Sequence, residues 1–447
     1  MADGERPGRP PGPPGHWLTG NTTEYDADRI GFLRRCHSEY GDVFSFDERT
    51  VFVTDPDVAH EVLARTNDSF VTELAPFGDR PDVDRAAEEA EAWMSARRTV
   101  WPGLNRAAAG AADLRAVEFF DIVTDATAGR EVDVLTVMRD FTAHAVADYC
   151  FGADATGIPA LLAENLDATA PFTATSFQFP AWFPLPRHRR FFRVHRRTVE
   201  TLTGIVRRRR AASGPPARDL LALLLAVDPP LSDHTVTATL RGILMGGHGI
   251  PAAALVSVVR ELALRPRLLA DLRAEAGGQA DGGAPADGRA PADGGCPVDG
   301  EAPPRARLPL AEAVVREVLR LYPPVWLMTR TAHADATVDG WSLRPGDEAL
   351  LNPYLIQRDP RWWSRPDEFD PGRWAPGCPV PGRAYLPFGA GPRVCLGSML
   401  ALRQLTLATS RLAQRFTLDS PNATTAAPRF LGRLAPAGLR ARFVPHG

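Results

Sequence analysis

The sequence predicts a mainly α fold of the α+β class, a helical domain with a small β-rich region. Three observations carry that prediction. Segments that read as helices recur from residue 26 to residue 416, and an apolar stretch over 242–259 has the composition of a helix buried in a core. Strand signals are confined to short runs over 43–54 and after residue 323. At 447 residues and 44% hydrophobic content the chain is long enough to bury a large core, and residues 1–447 are read as one domain.

Taken in order, residues 6–15 are rich in Pro and Gly and are expected to run extended over the surface. A helix over 26–40, a hairpin from 43–46 and 51–54, and a helix over 57–65 follow. The basic runs at 187–197 and 207–210 fall on a helix and read first as a solvated face, part of which an anionic substrate or an electron donor can use. Residues 242–259 are apolar enough to raise a membrane span, but His248, Pro251 and four glycines interrupt them, so a buried core helix is the better reading. Between a helix over 266–275 and a segment over 309–322 lies 276–307, with the near-repeat Ala-Pro-Ala-Asp-Gly at 284–288 and 290–294. It has too little apolar surface to fold and is read as a disordered surface insert. The Leu- and Ala-rich run 398–416 closes the series as a helix.

A net charge of −3 and a pI near 6.4 give no global field of the kind that marks a nucleic-acid binder, so no nucleic-acid partner is expected. All 51 Lys/Arg positions are Arg, and Ala, Gly and Pro abound, which reads as the codon bias of a GC-rich bacterial genome. Cys36, Cys150, Cys296, Cys378 and Cys395 show no paired spacing, which argues against a disulfide framework or a zinc site and fits a reducing cytosol. No apolar stretch near the N-terminus could serve as signal peptide or anchor, so a cytoplasmic protein without membrane attachment is expected.

The most informative stretch runs from Phe388 to Gly397 and presents Cys395 at the end of a glycine-bearing loop. Gly391 and Gly397 permit backbone conformations that side chains forbid, and Pro392 stiffens the turn. The helix expected from Ser398 sets Cys395 at a helix N-terminus, where backbone N–H groups and the dipole favour a thiolate. Upstream, Glu317 and Arg320 share a helix face at i, i+3, Arg373 lies in Phe-Asp-Pro-Gly-Arg-Trp at 369–374, Arg330 follows Pro323-Pro324, and Trp93 and Arg97 stand one turn apart.

Phe-x-x-Gly-x-Arg-x-Cys-x-Gly over 388–397 resembles the ligand signature of the cytochrome P-450 family, and the Glu-x-x-Arg, 369–374 and Trp-x-x-x-Arg segments resemble its other motifs in the family's order. The resemblance implies the P-450 fold and haem b, iron protoporphyrin IX, with Cys395 as the thiolate ligand and a monooxygenase-type oxidation of an organic substrate. A thiolate on haem iron pushes electron density in a way that favours O–O cleavage. The resemblance also implies that Arg393, Arg330, Arg97 and the Trp93 indole N–H meet the haem propionates, the planar guanidinium matching carboxylate. Phe388 would pack on the sulfur side of the ring, Gly391 and Gly397 would let the chain approach the macrocycle, and Glu317, Arg320 and Arg373 would form a structural ion network. Gly372 stands where the family usually has an acid.

The helix opposite the cysteine departs from the family pattern. Alignment of Gly246-Gly247-His248-Gly249-Ile250-Pro251 on Gly247 places Gly249 at the family's acid and Ile250 at its alcohol, so both proton-relay side chains are missing. Pro251 lacks an N–H and clashes with the carbonyl of Gly247, which is expected to open the helix. His248 can titrate near neutral pH, yet family members with the full relay often carry His there, pointing away from the haem. Ser257 is nearly two turns beyond Ile250 and is a poor substitute. Gly247, His248, Gly249, Ile250 and Pro251 are therefore the candidate catalytic segment facing Cys395. Three readings stay open: dioxygen with electrons from a ferredoxin and reductase, peroxide as the oxidant, or coupling, rearrangement or mere haem and ligand binding.

By the same resemblance, substrate contacts come from 71–89, 171–186, 325–328 and 430–435. Phe172, Phe177, Phe179, Trp182 and Phe183 make the second wall aromatic. A hydrophobic or aromatic small-molecule substrate follows, and with the codon bias a place in bacterial secondary metabolism.

Overall fold

The computed structural model describes residues 8–72, 83–105, 109–176, 178–180, 182–212, 219–280, 309–375 and 377–446. Helices α1 (Thr22–Ala27), α2 (Arg29–Tyr40) and α3 (Pro56–Ala64) flank strands β1 (Val43–Ser45) and β2 (Thr50–Val53), and β3 (Phe70–Val71) follows. The helical body comprises α4 (Val83–Asn105), α5 (Ala109–Asp125), α6 (Val134–Phe151, after strand β4, Glu131–Asp133), α7 (Ile158–Thr173), α8 (Pro186–Ala211), α9 (Leu220–Leu225), α10 (Asp233–Leu264), α11 (Pro266–Ala280) and α12 (Leu310–Leu321). Strands β5 (Met328–Ala332), β6 (Ala336–Val338), β7 (Trp341–Leu343) and β8 (Glu348–Leu351) precede α13 (Pro353–Ile356) and α14 (Ser398–Arg415). Strands β9 (Phe416–Asp419), β10 (Pro428–Phe430), β11 (Leu434–Pro436) and β12 (Arg440–Pro445) end the chain.

The mainly α reading holds, and the hairpin β1–β2 forms where expected. It belongs to a five-stranded sheet of order β1-β2-β8-β5-β3, in which only β2 and β8 run parallel. The helix expected over 26–40 is instead two: Asp28 leaves helical φ/ψ and its carboxylate accepts the Gly31 N–H at 3.0 Å, starting α2 afresh. Residues 8–15 form no regular element and lie against β1, with Ser45 donating to the carbonyls of Pro11 and Pro10.

Helix α10, about 48 Å long at 1.5 Å per residue, is the axis of the helical body and touches α4, α6, α8, α12 and α14. Among the described residues it alone is long and apolar enough to cross a membrane, and most of that apolar stretch is buried in the fold. Gly247 sets its distance from α6: a Cβ there would lie 2.6 Å from Val146 Cγ2. The helix stays α-helical through Pro251, so the expected opening is no more than the loss of one intrahelical donor to the Gly247 carbonyl.

Helix α11 continues to Ala280, so residues 276–280 of the expected insert are helical because they prolong a helix already packed at Leu269 and Leu272. Residues 281–307 lie outside the described residues. The Glu275 carboxylate accepts the Leu310 N–H at 2.8 and 3.0 Å, which draws the two ends of the insert together and caps α12.

The expected ion network is present, with Glu317 and Arg320 fully buried at its centre. Arg320 forks onto Glu317 at 2.8 and 3.0 Å and donates to the carbonyls of Gln357, Pro366 and Glu368, while Arg373 Nε and Trp374 Nε1 each reach Glu317 at 3.1 Å. Gln357 then donates to Leu319 and Arg320 and accepts the Leu386 N–H at 2.8 Å. That chain of contacts anchors the stretch two residues before Phe388.

Candidate active site

The loop from Phe388 to Gly397 closes on itself: the Cys395 N–H donates to the Phe388 carbonyl at 2.9 Å. Gly389 and Gly391 have φ of +68° and +70°, so these two need glycine's left-handed freedom, and a Cβ on Gly391 would also meet the Leu63 carbonyl oxygen at 2.2 Å. Gly397, expected to share that need, has φ −96°, which any residue adopts; what distinguishes it is space, with nothing within 4 Å of an added Cβ. Cys395 precedes the N-cap of α14 by two residues, and the Gly397 N–H points at its sulfur. Burial pushes the thiol up, while the Gly397 N–H and the Arg97 charge pull it down, and burial wins.

Three guanidiniums gather beside the loop. Arg97, on α4, donates through Nη2 to the Val394 carbonyl at 2.6 Å and lies 4.8 Å above the Trp101 ring. Arg393 donates to Asn67 Oδ1 at 3.1 Å and stands 5.9 Å over the Trp93 ring. Arg330, on β5, donates to Thr66 Oγ1 at 2.8 Å and to the Thr329 carbonyl. Burial, then the neighbouring Arg charge, pushes Arg330 and Arg393 down to about 10, which leaves them cationic at neutral pH. None of the three has a carboxylate partner among the described residues. Trp93, expected with Arg97 at a propionate, lies under Arg393, and Arg97 lies over Trp101.

Trp93 also bridges to α10, its ring lying 3.7 Å from a Cβ built on Gly242. Leu396 shares a buried cluster with Leu240 and Leu244, so the cysteine loop and α10 belong to one core. One turn on, Gly246 is open, with nothing within 4 Å of a Cβ. His248 is turned to α6: its ring donates to the Arg139 carbonyl, and its own carbonyl accepts from Thr142 Oγ1 at 2.9 Å. Burial, then Arg433 and Arg139, pushes it down to about 4. Ser257 Oγ is occupied by the Ala253 carbonyl at 3.3 Å.

The expected aromatic wall divides. Phe172 packs within the α7–α8 contact against Phe191 and His188, while Trp182 is exposed and Phe179 stacks on Phe183 at 5.0 Å. Phe177 and residues 73–82 lie outside the described residues. Among the described residues the second basic run on α8 is mostly ion-paired, Arg209 with Asp154 and Asp219 and Arg207 and Arg210 with Asp233, whereas in the first run only Arg197 has an ion pair, with Glu164. Thr66, Asn67 and Trp101 were not anticipated from sequence. Only Trp101 left a signal, four residues after Arg97.

The site thus brings together a loop cysteine under a backbone N–H, three guanidiniums, two of them buried, without a carboxylate partner among the described residues, and a helix bearing glycines. Those residues fit a haem: a cradle with room at Gly246 and Gly397, and guanidinium forks that match its two propionates. A sequence profile described as Cytochrome P450 matches residues 10–434, and the chain belongs to the cytochrome P450 family. Its cofactor is haem, and its activity is of the P450 monooxygenase type.

Relatives include cyclooctatin synthase of Streptomyces melanosporofaciens, 29% identical over 68% of this chain and 65% of that one, just under two thirds of its length. Ferruginol synthase of Salvia miltiorrhiza is 26% identical over 98% and 92% of the two chains. A crystal structure of the cytochrome P450DA heme domain superposes with a TM-score of 0.76 at 21% identity over 99% of both chains, a likeness of fold.

Proposed function

We propose that this chain is a cytoplasmic, single-domain enzyme that oxidises a hydrophobic small molecule in bacterial secondary metabolism, with dioxygen as oxidant and a ferredoxin and reductase as electron source. Cys395 would hold the haem iron through its sulfur, Phe388 would pack on the sulfur side, and Arg97, Arg330 and Arg393 would hold the propionates. Bound there, haem supplies activation of oxygen for insertion into a substrate bond. The observation that carries the reading is the Cys395 sulfur under the Gly397 N–H, beside three guanidiniums with no acidic partner among the described residues.

The chain's own residues then do the following. Arg97 fixes the Val394 carbonyl and with it the position of Cys395. Gly249 and Ile250 offer neither acid nor hydroxyl, and the hydroxyls of Thr142 and Ser257 already donate to helix carbonyls. Protons therefore travel by water or through the substrate's own groups rather than by side-chain relay. The same bare segment favours a second reading, peroxide as oxidant, which needs no relay. The reduced carbon monoxide complex tests the ligand: a thiolate-type spectrum is expected for the native chain and its loss in Cys395→Ser. Product formed with the redox partners but not with peroxide alone supports the first oxidant, and the reverse supports the second.

A further inference from the structure

A second cationic site lies apart from the three arginines beside Cys395. Arg433 sits in the turn between β10 and β11, and its Cζ and Nε lie 2.9 and 3.0 Å from where a Cβ on Gly249 would be. The guanidinium thus takes the space that an acid at position 249 would use. Its backbone is pinned on both sides: Arg29 donates to the Phe430 carbonyl at 2.9 Å, Trp326 Nε1 to Leu431 at 2.7 Å, and Leu434 N–H to Pro324 at 3.0 Å. Gly432 presses on α7, where a Cβ would meet Thr173 Cγ2 at 2.5 Å.

Held so firmly, Arg433 has no answering charge among the described residues. Its Nε is buried without a hydrogen-bond partner, and no carboxylate pairs with it among the described residues. The charged groups that face it are Arg139, whose Nε is also buried and unpartnered, and His248, which burial keeps neutral at neutral pH. Leu166 supplies an apolar neighbour, its Cδ2 lying 3.1 Å from the same Cβ position on Gly249. A half-buried guanidinium that buries its Nε with no counter-ion among the described residues is unfavourable unless something supplies one, and its planar fork selects a carboxylate.

We propose that Arg433 anchors a carboxylate of the substrate, so that this enzyme acts on hydrophobic carboxylic acids, and that Gly249 lacks a side chain because Arg433 fills its place. The assignment rests on the P450 reading for where the substrate lies. Isothermal titration calorimetry on the haem-loaded full chain tests it with decanoate, 4-phenylbutanoate and 1-naphthylacetate, each beside its methyl ester. At least one acid is expected to bind tenfold or more tighter than its ester. Arg433→Gln removes that preference while ester affinity stays within about twofold. Gly249→Asp, which lays a carboxylate on the guanidinium, removes it too and is read instead if the first variant does not fold. No preference in the native protein, or a preference kept in the variant read, overturns the proposal. The carbon monoxide spectrum of each sample separates that failure from failure of the haem-thiolate reading.

Discussion

Arg97 Nη2 donates to the carbonyl of Val394 at 2.6 Å, one residue before the cysteine, so a side chain from α4 sets the shape of a loop almost three hundred residues later. The same guanidinium lies over Trp101. It is a clamp on the loop that carries Cys395, and in the proposed reading a cation for the cofactor as well.

Arg97→Leu is therefore expected to loosen cofactor binding without unfolding the chain. A hydrogen bond from a charged donor is worth about 1.5–3 kcal/mol, so haem should pass to a scavenger protein roughly ten- to a hundredfold faster. Arg97→Lys should recover part of the loss, because it keeps the charge but not the flat fork over Trp101. Transfer rates unchanged in both variants would contradict the clamp.

Glu317, itself fully buried, accepts from Arg320, Arg373, Trp374 and the Asp370 N–H. Removing the acid leaves buried guanidiniums uncompensated, and Glu317→Ala should cost about 3–5 kcal/mol of stability. Chemical denaturation of the haem-loaded chain reads this directly.

His248 gives a pH signature. Its folded pKa, pushed down to about 4 by burial and then by Arg433 and Arg139, lies below the ordinary value near 6.5. Between those values the unfolded chain binds the extra proton, so the contribution is complete above pH 6.5 and is lost as pH falls toward 4. The change is on the order of 3 kcal/mol. His248→Gln should flatten the slope of stability against pH in that window.

Gly247→Ala should separate α10 from α6, since its Cβ would meet Val146 Cγ2 at 2.6 Å. Overpacking of this kind costs about 1–3 kcal/mol. Val146→Ala should relieve it, and a double-mutant cycle that shows no coupling would rule out the contact.

The hairpin β1–β2, the buried helix α10, the Glu317 network and the Cys395 loop were legible because each is written in local spacing or in a motif of consecutive residues. The break at Asp28 was not, because whether an Asp caps or simply sits within a helix depends on a few hydrogen bonds that composition does not rank. The contact of the Trp93 ring with Arg393 was not legible either. One turn of spacing says which side chains can meet, not which neighbour from another element arrives between them.

By itself the sequence determined the helical class, the loop that carries Cys395, the buried acid–arginine network and the absence of an acid and an alcohol at Gly249 and Ile250. Only the tertiary structure decided what occupies the space of a side chain at Gly249. Arg433 is 184 residues beyond Gly249 and reaches it because the β10–β11 turn is pinned against α7 and the Pro324 segment. Contacts across such separations depend on how finished elements pack, and no local periodicity records them.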